Sequence, residues 1–191
     1  NIHDYRKNHR CGTLYVAECD IQKYFDTINH DVIRSCFKTF ADKVKTHDAN
    51  FDYSQVERIV DAYLNSYSFY RNVESKNEEI KVRNQQFEVP KAHLFIERGC
   101  YTAEDFEATK SKIGIPQGGE LSALMSNVIL HTIDSESILC RPDRNRFFCR
   151  YGDDILLMHT SKAECEALIN KYCEALTRHK LLYHDFISVA D

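Results

Sequence analysis

The chain has 191 residues, with 25 Lys and Arg against 29 Asp and Glu, for a formal net charge of −4. At 43% hydrophobic and 28% charged residues it is neither collagen-like, mucin-like nor wholly disordered, and its length allows one domain, or one domain with a large insertion. No apolar run approaches the ~20 residues of a membrane span, and the start, Asn1-Ile2-His3-Asp4-Tyr5-Arg6, has neither Met nor a signal-peptide core, so it reads as part of a longer chain without a membrane partner.

In chain order, Leu14 to Asp20 is a short, mostly apolar strand ending in an acid. A helix from Asp31 to about Phe40 follows, with Asn29 or Asp31 as its cap. Val56, Ile59, Val60, Tyr63, Leu64 and Tyr67 recur at helical spacing and predict a second helix over 53–67. Residues 71–91 are polar with no clean period and predict an excursion with a hairpin. A short helix is expected over 102–109. Gly114-Ile115-Pro116-Gln117-Gly118-Gly119 is a loop by composition. The helix after it shows one apolar face, Leu121, Leu124, Met125, Val128, Ile129 and Ile133. Phe147 to Tyr151 and Ile155 to His159 flank Gly152-Asp153-Asp154 as a hairpin. Cys165, Leu168, Ile169, Tyr172, Cys173 and Leu176 mark a last helix.

This order predicts an α+β fold, an antiparallel sheet with helices on one face. A split β-α-β, ferredoxin-like unit lays the first strand beside the hairpin. Eight Cys without a C-x-x-C pair argue against zinc and against a disulfide framework. They read as reduced thiols in a cytoplasmic protein. The acidic total argues mildly against nucleic-acid binding. Two local basic patches, Arg6 to Arg10 and Arg141 to Arg150, argue the other way.

The predicted topology brings Asp20, at a strand end, toward Asp153 and Asp154, at a turn. Carboxylates pressed together disfavour one another's charge. Divalent cations relieve that repulsion, since Mg²⁺ takes carboxylate, phosphate and water oxygens. Two metals about 3.5–4 Å apart clamp the attacking and leaving oxygens of a phosphoryl transfer. Taken singly, an Asp-Asp turn is ordinary solvated turn chemistry. Here apolar strand flanks it, and two further motifs precede it.

Those motifs resemble the reverse transcriptases of group II introns and bacterial retroelements. Ala17-Glu18-Cys19-Asp20-Ile21-Gln22-Lys23-Tyr24-Phe25-Asp26-Thr27-Ile28-Asn29-His30 resembles the family's first palm motif. Gly114-Ile115-Pro116-Gln117-Gly118-Gly119-Glu120-Leu121-Ser122, running on to Asn127 and Leu130, resembles the second. Phe148-Cys149-Arg150-Tyr151-Gly152-Asp153-Asp154 resembles the third.

The resemblance implies a polymerase palm over 11–34 and 113–191, with 35–112 as a fingers-like insertion, and places the remaining fingers and the thumb outside this chain. It implies two Mg²⁺ ions, with Mn²⁺ as an alternative, held by Asp20 and Asp153. Asp154 completes the cluster, and the carbonyl of Ile21 is a further ligand. Phe25 matches the position that stacks under the incoming sugar; read alone, it is as well a packing residue. Gln117 matches the residue along the incoming nucleotide, with Pro116 and Gly118 shaping the loop. Arg150 and Tyr151 are candidate nucleic-acid contacts. The implied partners are an RNA template, a DNA or RNA primer or a protein hydroxyl, and dNTPs.

Two departures from the family pattern stand out. The stretch Lys180-Leu181-Leu182-Tyr183-His184-Asp185-Phe186 lacks the family's Lys, leaving His184 as a substitute acid for pyrophosphate. Gly152 stands where intron enzymes have Ala, and Tyr-Gly-Asp-Asp is also the form of viral RNA-dependent RNA polymerases. A palm without catalysis is the third reading, opposed by the intact acids. The role implied is intron mobility, CRISPR-associated spacer acquisition or antiphage defence.

Overall fold

The computed structural model describes residues 2–8, 12–74 and 92–185. The expected hairpin in 71–91 falls largely outside them; its described start is a single π-helical turn, Tyr70–Glu74. In chain order the main elements are α1 (Ile2–Asn8), β1 (Tyr15–Cys19), α2 (Tyr24–Thr27), α3 (His30–His47), α4 (Ser54–Ser66), α5 (Ala92–Glu97), α6 (Ala103–Thr109), α7 (Glu120–Ser137), β2 (Arg146–Tyr151), β3 (Asp154–His159) and α8 (Lys162–Arg178). The expected elements outside 71–91 are all present. Helix α3 continues past Phe40, burying Ala41. The short helices α1, α2 and α5 are additions: at four to seven residues each they carry too little periodicity to be recognised from sequence.

The sheet is antiparallel with order β1-β3-β2. Cys19 pairs with Ile155 and Ala17 with Leu157 on one side of β3; Arg150 pairs with Ile155 and Phe148 with Leu157 on the other. Strand alternation sends these residues to one face, which α8 covers directly, with α7 packed beside α8 in the same core. Met125, Ile129, Leu130 and Ile133 of α7 and Ile169, Tyr172, Cys173 and Leu176 of α8 meet Ala17, Cys19, Ile155 and Leu157 in one core, joined by Ile33 and Phe37 of α3. The fold is the α+β arrangement expected from the element order, with the first strand laid beside the hairpin. On the opposite face, α1 covers part of β2, with the Tyr5 and Phe147 rings 5.6 Å apart.

A second, largely aromatic core lies in the segment between the first two motifs. Phe69, Tyr70, Phe95, Cys100, Tyr101 and Phe106 pack with Ile113 and Leu182. Several of these rings meet edge-on, as Tyr70 and Phe106 do at 86°, the arrangement favoured by ring quadrupoles. Asn29 links the two cores. Its side chain caps α3 by accepting from the amides of Asp31 and Val32, and its Nδ2 donates to the Tyr101 hydroxyl at 2.9 Å. Asn29→Ala is expected to cost about 1 kcal/mol for the lost cap and roughly another 1 kcal/mol for stranding a buried hydroxyl. Urea unfolding measures this; a change below about 0.5 kcal/mol, the range of neutral surface substitutions, would count against that linkage.

Candidate active site

The end of the sheet gathers the acids. Beyond Cys19–Ile155, the same register sets Asp20 abreast of Asp154, itself paired with Tyr151 across the turn. The turn is tight because Gly152 adopts φ 63°, the left-handed conformation glycine takes without a Cβ penalty. Asp153 follows it, half-buried. Burial first, then the charges of Asp20 and Asp154, push its carboxyl above the ordinary range, against the pull of its own backbone amide.

A third segment borders Asp20. Helix α8 ends with Lys180 at φ 62°, and Leu181 and Lys180 donate back to the carbonyls of Leu176 and Thr177. This closure is a Schellman motif with Lys in the usual Gly position. It returns the chain so that Tyr183 bridges Ile21, Gln22 N donates to the Leu182 carbonyl, and His184 N donates to the Asp20 carbonyl at 2.9 Å. His184 Nε2 then lies 3.9 Å from Asp20 Oδ2. The Ile21 side chain is buried, which leaves only its backbone to serve a site.

The Gly-rich loop docks on the first motif. Gly114 N donates to the Ile28 carbonyl and Ile115 N to the Phe25 carbonyl, both at 2.8 Å. Gly114 sits at φ 93°, and a Cβ there would lie 2.6 Å from the Phe69 Cβ. Gly114→Ala is therefore expected to destabilise by at least ~1–3 kcal/mol, from conformational strain alone; denaturant unfolding that finds no loss would refute the close approach. His30 Nε2 bonds the Gly114 carbonyl at 2.7 Å, and burial lowers the His30 pKa, so a neutral ring donates there. The Pro116 carbonyl accepts from Ser122 Oγ, which also bonds the Tyr63 hydroxyl at 2.7 Å. Gly118 is left-handed at φ 78°. Gln117 is exposed near Asp26, whose carboxyl burial pushes up, against the opposing pull of Lys23 and the Gln117 amide. Phe25 is half-buried against the core, its ring 5.5 Å from that of Tyr24.

Sequence and structure comparisons bear on the family and the fold. A profile of the family "Reverse transcriptase (RNA-dependent DNA polymerase)" matches residues 1–184. The chain belongs to the reverse transcriptase family. Among solved structures, this reverse transcriptase domain is similar to apo telomerase from Candida tropicalis (TM-score 0.54, 14% identity, 97% of this chain and 30% of that one). It is similarly close to telomerase from Candida albicans in complex with a TWJ fragment of telomeric RNA (TM-score 0.55, 13% identity, 100% of this chain and 30% of that one). At these identities the likeness concerns the fold, and the chain spans about a third of the telomerase chains' length. Comparison with curated proteins finds no match.

Other features of the reverse transcriptase domain differ from the sequence expectation. Arg150, a candidate nucleic-acid contact by sequence, faces inward instead, because alternation puts it on the helix-covered side of β2. Its side chain is 15% exposed and paired with Asp134. Tyr151, one residue on, is 87% exposed on the open face. Asp26 is the member of the site that sequence reasoning passed over. The signal was present in the first motif, where an acid directly follows Phe25. Among the described residues, no three His, Cys, Asp or Glu side chains are grouped closely enough to hold a metal. The donor set nevertheless fits a hard divalent cation in kind: oxygen ligands, and an Asp153 carboxyl that its acidic neighbours disfavour as an anion. No described helix is long and apolar enough to cross a membrane.

Proposed function

We propose that this domain is the palm, with part of the fingers, of an RNA-directed DNA polymerase that adds dNTPs to a primer 3′-hydroxyl or a protein hydroxyl. One juxtaposition carries the reading. Asp20 and the Asp153-Asp154 turn share one sheet end, while the Gly114–Gly118 loop is hydrogen-bonded to the Phe25–Ile28 segment that follows Asp20. When bound, two Mg²⁺ ions, or Mn²⁺ in their place, supply activation of the attacking hydroxyl and stabilisation of the departing pyrophosphate. Asp20 and Asp153 are the proposed holders, with Asp154 completing the negative field and the carbonyl of Ile21 as a further ligand. Phe25 closes the space beside the incoming sugar. Gln117 lies along the nucleotide, with Pro116 and Gly118 shaping its loop. Tyr151, exposed beside the turn, is the proposed nucleic-acid contact.

The TWJ fragment of telomeric RNA in the Candida albicans telomerase structure supports RNA as a partner, and the proposed role of that RNA is the template. A fingers-like insertion over 35–112 within a palm of 11–34 and 113–191 is part of this proposal; the aromatic core draws on its 69–106 part, whereas Cys36, Phe37, Val60 and Leu64 pack in the main core. A retroelement, CRISPR-associated or antiphage setting belongs to the same proposal, supported by the motif resemblance; the neighbouring domains of the full-length sequence test it. The test of the activity is primer extension by the full-length protein on RNA and DNA templates. Template-directed dNTP incorporation that chelation abolishes is expected. No incorporation with either Mg²⁺ or Mn²⁺ refutes the assignment. Gly152 favours a second reading, a ribonucleotide polymerase, and the sugar competition in the Discussion separates the two.

A further inference from the structure

Arg150 stands in the last strand pair before the catalytic turn's own Tyr151–Asp154 pair. Its Nε donates to Asp134 Oδ2 at 2.9 Å. Its Nη1 donates to Asn127 Oδ1 at 3.2 Å and to the Gly152 carbonyl at 3.1 Å. Asn127 and Asp134 lie seven residues apart on α7, about two helical turns, so both present to the same strand. A single guanidinium thus joins α7 to the first residue of the turn that carries Asp153.

Stability alone is a poor account of this arrangement. A buried ion pair seldom adds net stability over apolar residues of similar size. Here the Asp134 side chain is 6% exposed, and its second oxygen, Oδ1, is buried without a hydrogen-bond partner. Leaving a carboxylate oxygen unsatisfied costs stability. What the arrangement secures is position: the planar fork of Arg directs donors along several fixed lines, which a Lys cannot do. Helix α7 also starts directly after the Gly114–Gly119 loop. The helix gripped at Asn127 and Asp134 therefore carries the proposed nucleotide-binding loop at its own N-terminus.

We infer that Arg150, held by Asp134 and Asn127, is a positioning residue that clamps the Gly152–Asp153 turn to α7 and so aligns the acids of the turn with the Gly114–Gly118 loop. Its catalytic consequence rests on the polymerase reading above, whereas its mechanical consequence does not.

The experiment uses the full-length protein and four variants: Arg150→Lys, Asn127→Ala, Arg146→Lys and Asp153→Asn. Hydrogen exchange is followed at the amides of residues 152–154 and of α7, without metal or substrate. Mn²⁺ binding is read by electron paramagnetic resonance, and single-nucleotide addition gives kcat and KM. Arg150→Lys is expected to speed exchange at the turn by about tenfold or more while α7 keeps its protection. The kcat should fall roughly 10- to 100-fold, the scale of a 1 Å misplacement, with KM changed far less and Mn²⁺ affinity weakened. Asn127→Ala, which removes one exposed link, should move each readout the same way by less. Arg146→Lys, on the same strand but bonded to the carbonyls of Ile138 and Arg141, should leave the turn's exchange unchanged. Unchanged exchange at the turn in Arg150→Lys overturns the clamp. So does an equal loss of protection throughout α7, which marks a merely structural residue. Wild-type Mn²⁺ binding in Asp153→Asn would instead refute the metal assignment, while the exchange data still decide the clamp.

Discussion

Asp153→Asn in the full-length protein is expected to abolish nucleotide addition while leaving the fold at least as stable as wild type. The two halves have one cause. The folded structure sets Asp153 beside Asp20 and Asp154, and with burial their charges push its carboxyl upward. A raised Asp pKa means that the ionised form is less favourable folded than unfolded. The penalty is absent below the unfolded pKa and grows as pH rises through the folded one. At neutral pH, Asn removes that repulsion, so thermal unfolding should not shift downward. The same charge is what a bridging cation requires. Losing a carboxylate from a two-metal centre forfeits several kcal/mol of transition-state stabilisation, and about 4 kcal/mol corresponds to roughly a thousandfold in rate. Single-nucleotide incorporation and a thermal melt, on the same preparations, check both parts. A well-folded Asp153→Asn enzyme retaining more than about a tenth of wild-type rate, a loss under ~1.4 kcal/mol, would refute the assigned role. A markedly less stable one would refute the electrostatic account.

Phe25→Ala or Phe25→Val is expected to relax the choice of sugar. Phe25 lies five positions after Asp20, and its carbonyl accepts from the amide of Ile115, so its backbone is fixed between the acids and the Gln117 loop. An aromatic ring there offers a ribose 2′-hydroxyl no hydrogen-bond partner. Burying that hydroxyl unpaired costs on the order of 1–3 kcal/mol, which is roughly 5- to 150-fold discrimination. The mutant rNTP/dNTP ratio should rise within that range when both compete on one primed template. A ribonucleotide polymerase would prefer rNTPs already as wild type. The packing of Phe25 against the core and beside Tyr24 supplies the contrary outcome: a stability loss with an unchanged ratio would make it a packing residue alone.

Much of this protein was written locally. The strand before Asp20, the hairpin around Gly152 and the helices at α4, α7 and α8 follow from periods of two and 3.6 and from glycine's access to left-handed backbone. These patterns survive because neighbouring residues decide them, and the motifs for the acids, Phe25 and the Gln117 loop are contiguous runs. Other features depend on contacts between segments far apart in the chain. The pairing of β1 with β3, the bridge from Ile21 to Tyr183 and the docking of Gly114 on Ile28 each close long loops. Their loop entropy is offset only once the common core forms. Sequence read Arg150 as one more cation in a basic stretch. Its inward direction was decided by which face of the sheet the helices cover, and its partners Asn127 and Asp134 are polar positions that a search for apolar periodicity passes over. Asp26 likewise comes near Gln117 only when that loop docks on the first motif. The identity of the chemical groups is thus local information, whereas their convergence, and the clamp that holds the turn, come from burial shared among strands and helices.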